Sequence, residues 1–270
     1  MEQAECLLPS CCKGSFNESW LPGRNSAVIR YNFLVAENRN HAAELTGFVL
    51  AGGRSSRMGT DKAALLLNGR TLLQRAIEIV GSVTGGPVAI LGSRELYGAY
   101  GQVIEDLYPG CGPLAGIHAA LSHSRTCFNL IIAVDTPFLS PQLLSYMGGR
   151  ALESGAVVTV PEIGGYTQPL CAVYSREFLP IAEAAIQPQR PQRTTEEENH
   201  DLPRGHGNTA PEPPGKSRGY KIVPLFPKEA TCVISEAELK RFAFNPEMFE
   251  NLNTPEDLER ARQRRTSGEA

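Results

Sequence analysis

The chain has 270 residues, a formal net charge of −3 and 41% hydrophobic residues, which allows a sizeable core in one large domain or two small ones. A slightly acidic chain is a poor candidate for general nucleic-acid binding, which usually shows as a basic domain. No segment approaches the ~20 consecutive apolar residues of a membrane span, so we expect no membrane association.

The predicted elements begin near residue 45. Residues 1–44 show no apolar periodicity and are predicted to be a flexible N-terminal extension. From Thr46, "TGFVLAGG" predicts a buried strand that runs into a glycine turn. "RTLLQRAIEIVGSV" has apolar residues at helical spacing and predicts a helix that stops at Gly81. Two further strands are predicted at "GPVAIL" and "QVIED".

Helices and strands alternate in the middle of the chain. "GPLAGIHAALSH" predicts a helix with Pro113 in its first turn, and "FNLIIAV" predicts a strand that is covered on both faces. Ser140 is the expected N-cap of a helix over "SPQLLSYMGGRALES". The strands "AVVTVP" and "PLCAVY" flank a Gly164–Gly165 turn, and "REFLPIAEAAI" follows as a helix. Residues 187–218 have so few apolar side chains that we predict a disordered insert.

The last predicted elements are helices. "SEAELKRFAF" predicts a short helix, and "NTPEDLERARQR" predicts a terminal helix that is capped at Thr254. We assign residues 45–262 to one domain and residues 263–270 to a tail. The alternation of elements predicts an α/β fold with a mostly parallel sheet between two helical layers, a Rossmann-like three-layer α/β/α architecture. Ligands of such sheets lie beyond the carboxyl ends of the strands, where the loops after Leu50 and Val134 are found.

The stretch "LAGGRSSRMGTDK" combines a glycine turn with basic residues. Gly52 and Gly53 let the backbone turn tightly, so that exposed amides can surround an anion. The natural ligand is a polyphosphate, because positive charge is added by Arg54, Arg57 and Lys62. The spacing fits neither the P-loop nor the dinucleotide fingerprint. A Gly–Gly turn with nearby arginines, taken alone, is more typical of an ordinary strand-to-helix connection.

The complete string is more specific, because it resembles the LAGGxSxRMGxDK signature of sugar- and cofactor-nucleotidyltransferases. Within that group, the chain is most similar to molybdenum cofactor guanylyltransferases. The resemblance covers about residues 46–186 and 220–262, and five further segments match in order: "LLLNGRTLLQRAI", "VIEDLYPGCGPLAGIHAAL", "VDTPFLSPQLL", "TQPLCAVY" and "FENLNTPEDLERA". It implies a fold of the nucleotide-diphospho-sugar transferase type.

The resemblance also implies a set of GTP-binding residues. The loop backbone at Leu50, Ala51, Gly52 and Gly53 is expected to surround the guanine nucleotide. Lys62 corresponds to a lysine that contacts the phosphates. Asp61 is expected to cap or orient the lysine-bearing loop.

The remaining implied positions lie at other strand ends and in the loop. Asp106 corresponds to an aspartate that contacts the nucleotide, and Asp135 to one that binds both nucleotide and magnesium. Lys62 and Asp135 are the expected catalytic residues. The role of Arg57 is open between a contact with the phosphates and a structural role, packing or a salt bridge, at the base of the loop. Family members often have an asparagine near the position of Leu91, and whether Leu91 or Ser93 replaces that contact is left open.

The implied reaction transfers GMP from GTP to molybdenum-molybdopterin, giving molybdopterin guanine dinucleotide and pyrophosphate, with Mg2+ as cofactor. The terminal phosphate of the pterin attacks, so no protein nucleophile is needed, and positioning and charge compensation are the main tasks. Molybdoenzyme apoproteins and cofactor-insertion proteins are the further partners that the resemblance suggests. The absence of a secretory signal predicts a cytoplasmic protein, in which the seven irregularly spaced cysteines are free thiols.

Three alternatives stay open. The first is a related cytidylyltransferase or a sugar-phosphate nucleotidyltransferase. Gly52 favours guanine over cytosine, because related cytidylyltransferases more often have alanine there and glycine leaves more room for a purine. The second is a non-catalytic protein that delivers the cofactor, against which the presence of Lys62 and Asp135 argues. The third, a purely structural α/β module, leaves the ordered motifs unexplained.

Overall fold

A computed structural model describes residues 44–52, 61–187 and 220–266. Most of the predicted N-terminal extension, nearly all of the predicted insert and the centre of the glycine-rich loop lie outside these ranges. The described strands are β1 (Leu45–Leu50), β2 (Leu66–Leu67), β3 (Arg70–Thr71), β4 (Ala89–Leu91), β5 (Val103–Ile104), β6 (Phe128–Ala133), β7 (Val158–Ile163), β8 (Tyr166–Thr167), β9 (Cys171–Ser175) and β10 (Thr231–Ile234). The described α-helices are α1 (Leu72–Thr84), α2 (Arg94–Tyr97), α3 (Pro113–His123), α4 (Pro141–Ser154), α5 (Leu179–Ile186), α6 (Glu236–Arg241) and α7 (Pro255–Thr266).

The main sheet has the strand order β10–β7–β9–β6–β1–β4–β5. Strand β1 is central and runs parallel to both β4 and β6, and β4 runs parallel to β5. Strand β9 is antiparallel to its neighbours β6 and β7 because a β7–β8 hairpin reverses the chain just before it. The reversal uses Gly164 and Gly165, whose φ angles are +58° and +79°. The predicted mostly parallel sheet is therefore confirmed.

Side chains alternate between two cores along the central strand. Val49 of β1 packs in a core with buried residues of α1 and α4, whereas Phe48 and Leu50 pack in a second core with residues of α3 and α5. This alternation follows from the two-residue period of a strand, which sends successive side chains to opposite faces. The sheet thus lies between two helical layers, and the predicted three-layer architecture is confirmed.

The helix boundaries follow from their caps. The side chain of Ser140 accepts a hydrogen bond from the Leu143 amide at 3.2 Å, so the predicted N-cap of α4 is confirmed. The predicted stop of α1 at Gly81 is wrong. The helix continues to Thr84, which is buried, and ends at Gly85 in the left-handed conformation at φ +66°. A helix can accommodate glycine in its interior, as at Gly81. This helix ends at Gly85 because the backbone there adopts the left-handed conformation.

Several expectations concern the ends and the surface of the domain. Helix α7 continues to Thr266, past residue 262, the predicted domain boundary.

Within the described ranges, no helix is both long and apolar enough to cross a membrane. The cysteines in the same ranges are free thiols, as predicted: Cys111, Cys127, Cys171 and Cys232. The division into extension, domain, insert and tail stays a prediction.

Candidate nucleotide site

The predicted site residues lie at the carboxyl edge of the sheet. Because β1, β4, β5 and β6 are parallel, the loops that follow them meet at this edge. Ala51 and Gly52 follow β1, Asp106 follows β5, and Asp135 follows β6. The described part of the glycine-rich stretch is thus flanked by two carboxylates from different strand ends.

The backbone at the end of β1 is tied to the neighbouring strands. The amides of Ala51 and Gly52 both donate to the Leu91 carbonyl, at 3.0 and 3.2 Å, and the Leu50 carbonyl accepts from the Val134 amide at 3.0 Å. The amides of Ala51 and Gly52 are therefore not available to phosphate oxygens. Amides of the glycine-rich loop that bind a triphosphate must come after Gly52.

Leu91 and Ser93 lie at the neighbouring strand end, where the family often has an asparagine. The Leu91 side chain is buried in the same core as Leu50, and its backbone carbonyl bonds to the end of β1. Ser93 occupies the N-cap position of α2, but its side chain makes no capping hydrogen bond. Whether either residue takes the place of the family asparagine toward the nucleotide stays open. A Cβ added at Gly52 would lie 3.7 Å from the Gly92 Cα, an ordinary contact distance.

Lys62 is the centre of the described site. Its Nζ donates to Asp135 Oδ2 at 2.9 Å and to Asn253 Oδ1 at 2.7 Å. Lys62 begins a short 3-10 turn, Lys62–Ala64, whose N-cap is Asp61. The Asp61 side chain accepts from the Ala63 amide at 3.0 Å, in agreement with the predicted capping role. The structure therefore brings together the lysine and the aspartate that were predicted to be catalytic.

The position of Asp135 is set by the end of β6. Its backbone carbonyl accepts from the Leu252 amide at 2.8 Å, which fixes the strand end against the segment before α7. Among the described residues, its carboxylate accepts from Lys62 and from no backbone amide, so it does not act as an N-cap there. About a fifth of each side chain is exposed, 18% for Lys62 and 21% for Asp135, which leaves both groups accessible to a ligand.

Asn253 is a site residue that the sequence analysis missed. It precedes α7, and Asp257 Oδ2 accepts from the amides of Asn253 and Thr254, both at 2.9 Å. Thr254 Oγ1 in turn accepts from the Asp257 amide at 3.2 Å, which completes a reciprocal cap. The hydrogen bond from the Asn253 amide is the largest of the effects that lower the pKa of Asp257. The available signal was the "NLNTPEDL" motif, which the sequence analysis interprets as a helix start and as part of the family resemblance, without a role for Asn253.

We expect Asn253→Ala to lower kcat/KM for the nucleotide about tenfold, the effect of losing one hydrogen bond to a charged group. The physical reason is that Lys62 loses the neutral acceptor that, with Asp135, fixes the direction of its ammonium group. Steady-state kinetics measure the effect. Asn253→Asp keeps the oxygen but adds a negative charge next to the phosphates, so it is expected to be at least as impaired. Full activity of both variants would contradict this role.

Asp106 is a carboxylate near the end of β1 that has no partner within the described ranges. It is half-buried, and burial raises its pKa. It makes no hydrogen bond or ion pair with the residues that the structure describes. A Cβ added at Gly116 of α3 would lie 2.5 Å from Leu50 Cδ2 and 3.8 Å from Asp106 Oδ1, so glycine lets α3 pack directly over the end of β1. A carboxylate in this position suits the N–H groups of a bound base or the hydroxyls of a ribose.

We expect Asp106→Asn to raise the free energy of unfolding at neutral pH while it raises KM for the nucleotide about tenfold. The folded protein holds the Asp106 proton more tightly than the unfolded chain, so ionisation of this group costs stability as the pH rises above its ordinary pKa of 3.8. The gain is at most about 1 kcal/mol because solvent screens a half-exposed charge. Urea unfolding at several pH values measures it, with the exposed Glu247→Gln as control. A variant that is less stable at neutral pH would contradict the expectation.

The other predicted positions are divided between the described and undescribed parts of the chain. Gly53 and Arg57 lie outside the described residues, so their roles stay predictions. Within the described ranges, no group of three or more histidine, cysteine or acidic side chains could hold a metal ion by itself. A cation at this edge would take Asp135 as a protein ligand and complete its shell with phosphate oxygens and water, a ligand set that Mg2+ prefers.

Comparisons with known proteins identify the family of this chain. The model of the MobA-like NTP transferase domain matches residues 47–202. A probable molybdenum cofactor guanylyltransferase of Pelotomaculum thermopropionicum is 31% identical over 220 residues, which are 81% of this chain and 92% of that protein. A molybdenum cofactor guanylyltransferase of Desulfosudis oleivorans is 32% identical over 221 residues, 80% of this chain and 94% of that protein.

A solved structure shows the same fold. The molybdopterin-guanine dinucleotide biosynthesis protein A of Archaeoglobus fulgidus superposes with a TM-score of 0.61 at 24% identity, covering 82% of this chain and 99% of that one. The fold class and the family resemblance predicted from the sequence are thus confirmed. With a family model that covers more than half of its length, this chain belongs to the MobA-like NTP transferase family of nucleotidyltransferases.

Proposed function

We propose that this protein transfers GMP from GTP to molybdenum-molybdopterin, forming molybdopterin guanine dinucleotide and releasing pyrophosphate. The observation that carries the proposal is the contact of Lys62 with Asp135 and Asn253 at the carboxyl edge of the sheet. It is supported by relatives that are named molybdenum cofactor guanylyltransferases and that match most of the chain.

The chemistry requires compensation of negative charge and does not require a protein nucleophile. The terminal phosphate of molybdopterin attacks the α-phosphate of GTP, the bond to the β-phosphate breaks, and pyrophosphate leaves. Both reactants are anions, so the protein must hold them in line and compensate their charge. Lys62 supplies a positive charge that is already directed by its two acceptors, so little reorganisation is needed when phosphate oxygens replace them.

Asp135 is the residue that fits a divalent cation. Its carboxylate is a hard oxygen donor, it is partly exposed, and its described partner is a side chain that can move to a phosphate. A bound Mg2+ would offset the negative charge of the triphosphate and of the departing pyrophosphate. When the nucleotide is absent, the Lys62 ammonium balances the Asp135 charge. Mg2+ as the particular cation is part of the proposal.

Recognition of the base and the identity of the acceptor substrate are further parts of the proposal. Asp106 is the expected partner of the base or the ribose, and glycine rather than alanine at position 52 is expected to favour a purine. GTP and molybdopterin are the proposed substrates. Delivery of the product to molybdoenzyme apoproteins or cofactor-insertion proteins, and a cytoplasmic location, stay predictions.

The decisive experiment is a nucleotide panel. The purified protein is incubated with Mg2+, molybdopterin and GTP, CTP, ATP or UTP in turn, and mass spectrometry detects the dinucleotide product while pyrophosphate release gives the rate. We expect product with GTP and only a small fraction of that rate with the other nucleotides. Preference for CTP would identify a cytidylyltransferase. Binding of GTP with no turnover would favour the delivery protein. In a parallel incubation with a sugar phosphate in place of molybdopterin, turnover there and none with molybdopterin would identify a sugar-phosphate nucleotidyltransferase.

A further inference from the structure

Tyr97 contacts both described ends of the glycine-rich stretch. Its hydroxyl lies 3.1 Å from the Ala51 carbonyl oxygen and 3.0 Å from Asp61 Oδ1. Ala51 directly follows β1, and Asp61 directly precedes Lys62. One side chain therefore joins the strand end to the turn that carries the lysine.

The ring of Tyr97 is held in one position. The side chain is 4% exposed, and α2 is tied to β5 by a hydrogen bond from the Arg94 guanidinium to the Val103 carbonyl at 3.1 Å. A Cβ added at Gly92 would lie 2.9 Å from Tyr97 Cε2, closer than side chains tolerate. Gly92 thus lets the ring pack against the end of β4, and the hydroxyl has a fixed location between its two acceptors.

The hydroxyl acts as a donor at all physiological pH values. Burial, followed by the charge of Asp61 and the hydrogen bond to it, raises the pKa of Tyr97. An ionised acceptor forms the stronger hydrogen bond, so the proton is directed mainly to Asp61. Asp61 Oδ1 also accepts from the Ala63 amide at 3.0 Å, so the same oxygen links Tyr97 to the turn Lys62–Ala64.

We infer that Tyr97 is a positioning residue for Lys62, acting through Asp61 to fix where the ammonium group lies relative to Asp135. The hydroxyl carries this role, because the packing of the ring does not depend on it. The inference rests on the proposed function only for the identity of the nucleotide whose phosphates Lys62 contacts.

The kinetic test compares Tyr97→Phe with Tyr100→Phe. Tyr100 is 36% exposed, and its hydroxyl makes no hydrogen bond within the described ranges, so it serves as a matched control. At a temperature where all variants are folded, Tyr97→Phe should raise KM for GTP about tenfold, whereas the control stays within about twofold. In a Lys62→Met background, Tyr97→Phe should raise KM for GTP almost no further, because Tyr97 acts through Lys62. A purely structural role would lower the folded fraction and leave KM unchanged.

A second readout requires no nucleotide. Reductive methylation of lysine amines, followed by mass spectrometry of peptides, reports how accessible and how mobile the Lys62 ammonium is. We expect Lys62 to react several-fold faster in Tyr97→Phe than in the wild type, relative to the exposed Lys221 and Lys228. An unchanged Lys62 rate together with an unchanged KM overturns the inference. A wild type that ignores GTP overturns the proposed function instead, and the methylation comparison then still decides the role of Tyr97.

Discussion

Replacing Asp135 with asparagine is expected to lower turnover of GTP about 100-fold or more while the fold persists. The variant keeps the shape of the side chain and one oxygen, but it loses the negative charge of the carboxylate at the end of β6 that contacts Lys62. A cation held by that charge binds more weakly. Removal of a preorganised electrostatic group from an active site typically lowers the turnover rate about 100-fold or more. Stability should change by less than about 1 kcal/mol, because the ion pair is partly exposed.

The dependence on Mg2+ separates this role from a general loss of structure. We expect the Mg2+ concentration for half-maximal turnover to increase in Asp135→Asn, so that high Mg2+ restores part of the rate. Glu229→Gln, which removes an exposed charge far along the chain, should behave as the wild type. If Asp135→Asn is fully active at every Mg2+ concentration, Asp135 is not the cation ligand and the proposed chemistry is wrong.

The central part of the fold could be predicted because its signals are local. The apolar runs that form β1 and β6 and the caps of α4 and α7 are encoded within a few neighbouring residues. The two-residue strands β2 and β3 carry too few side chains for a period to be read. Among the described residues, strand β10 is half-exposed at the edge of the sheet and pairs with β7 alone, so its apolar pattern is weak.

The site was predictable only where family resemblance named its residues. Lys62 and Asp135 are 73 positions apart, and Lys62 and Asn253 are 191 positions apart, so no local pattern places them together. Their meeting depends on the strand order and on the Leu252 amide, which bonds to the carbonyl of Asp135. Tyr97 gave no signal at all, because a single tyrosine in a short helix is usually packing. Its significance lies in the two acceptors on either side of its hydroxyl.

Lys62→Met is expected to have an effect as large as that of Asp135→Asn, a fall in kcat/KM of about 100-fold to 1,000-fold. Methionine replaces the aliphatic stem and leaves no charge, so packing is retained while the phosphates lose their directed cation. Lys62→Arg should recover part of the loss because it keeps the charge, but its planar fork does not fit the place of a compact ammonium between Asp135 and Asn253. The exposed Lys228→Met is the matched control and should leave the kinetics unchanged.

The response to Mg2+ and the kinetics of the double variant distinguish the role of Lys62 from that of Asp135. High Mg2+ should not rescue Lys62→Met, because the missing charge acts on the phosphates and not on the cation. The same variant leaves the Asp135 carboxylate without its described partner, so the apparent affinity for Mg2+ should increase rather than fall. Combining Lys62→Met with Asp135→Asn should cost much less than the product of the two single effects, because both residues serve one transition state. Independent, multiplicative losses would instead mean that the two side chains act at separate steps.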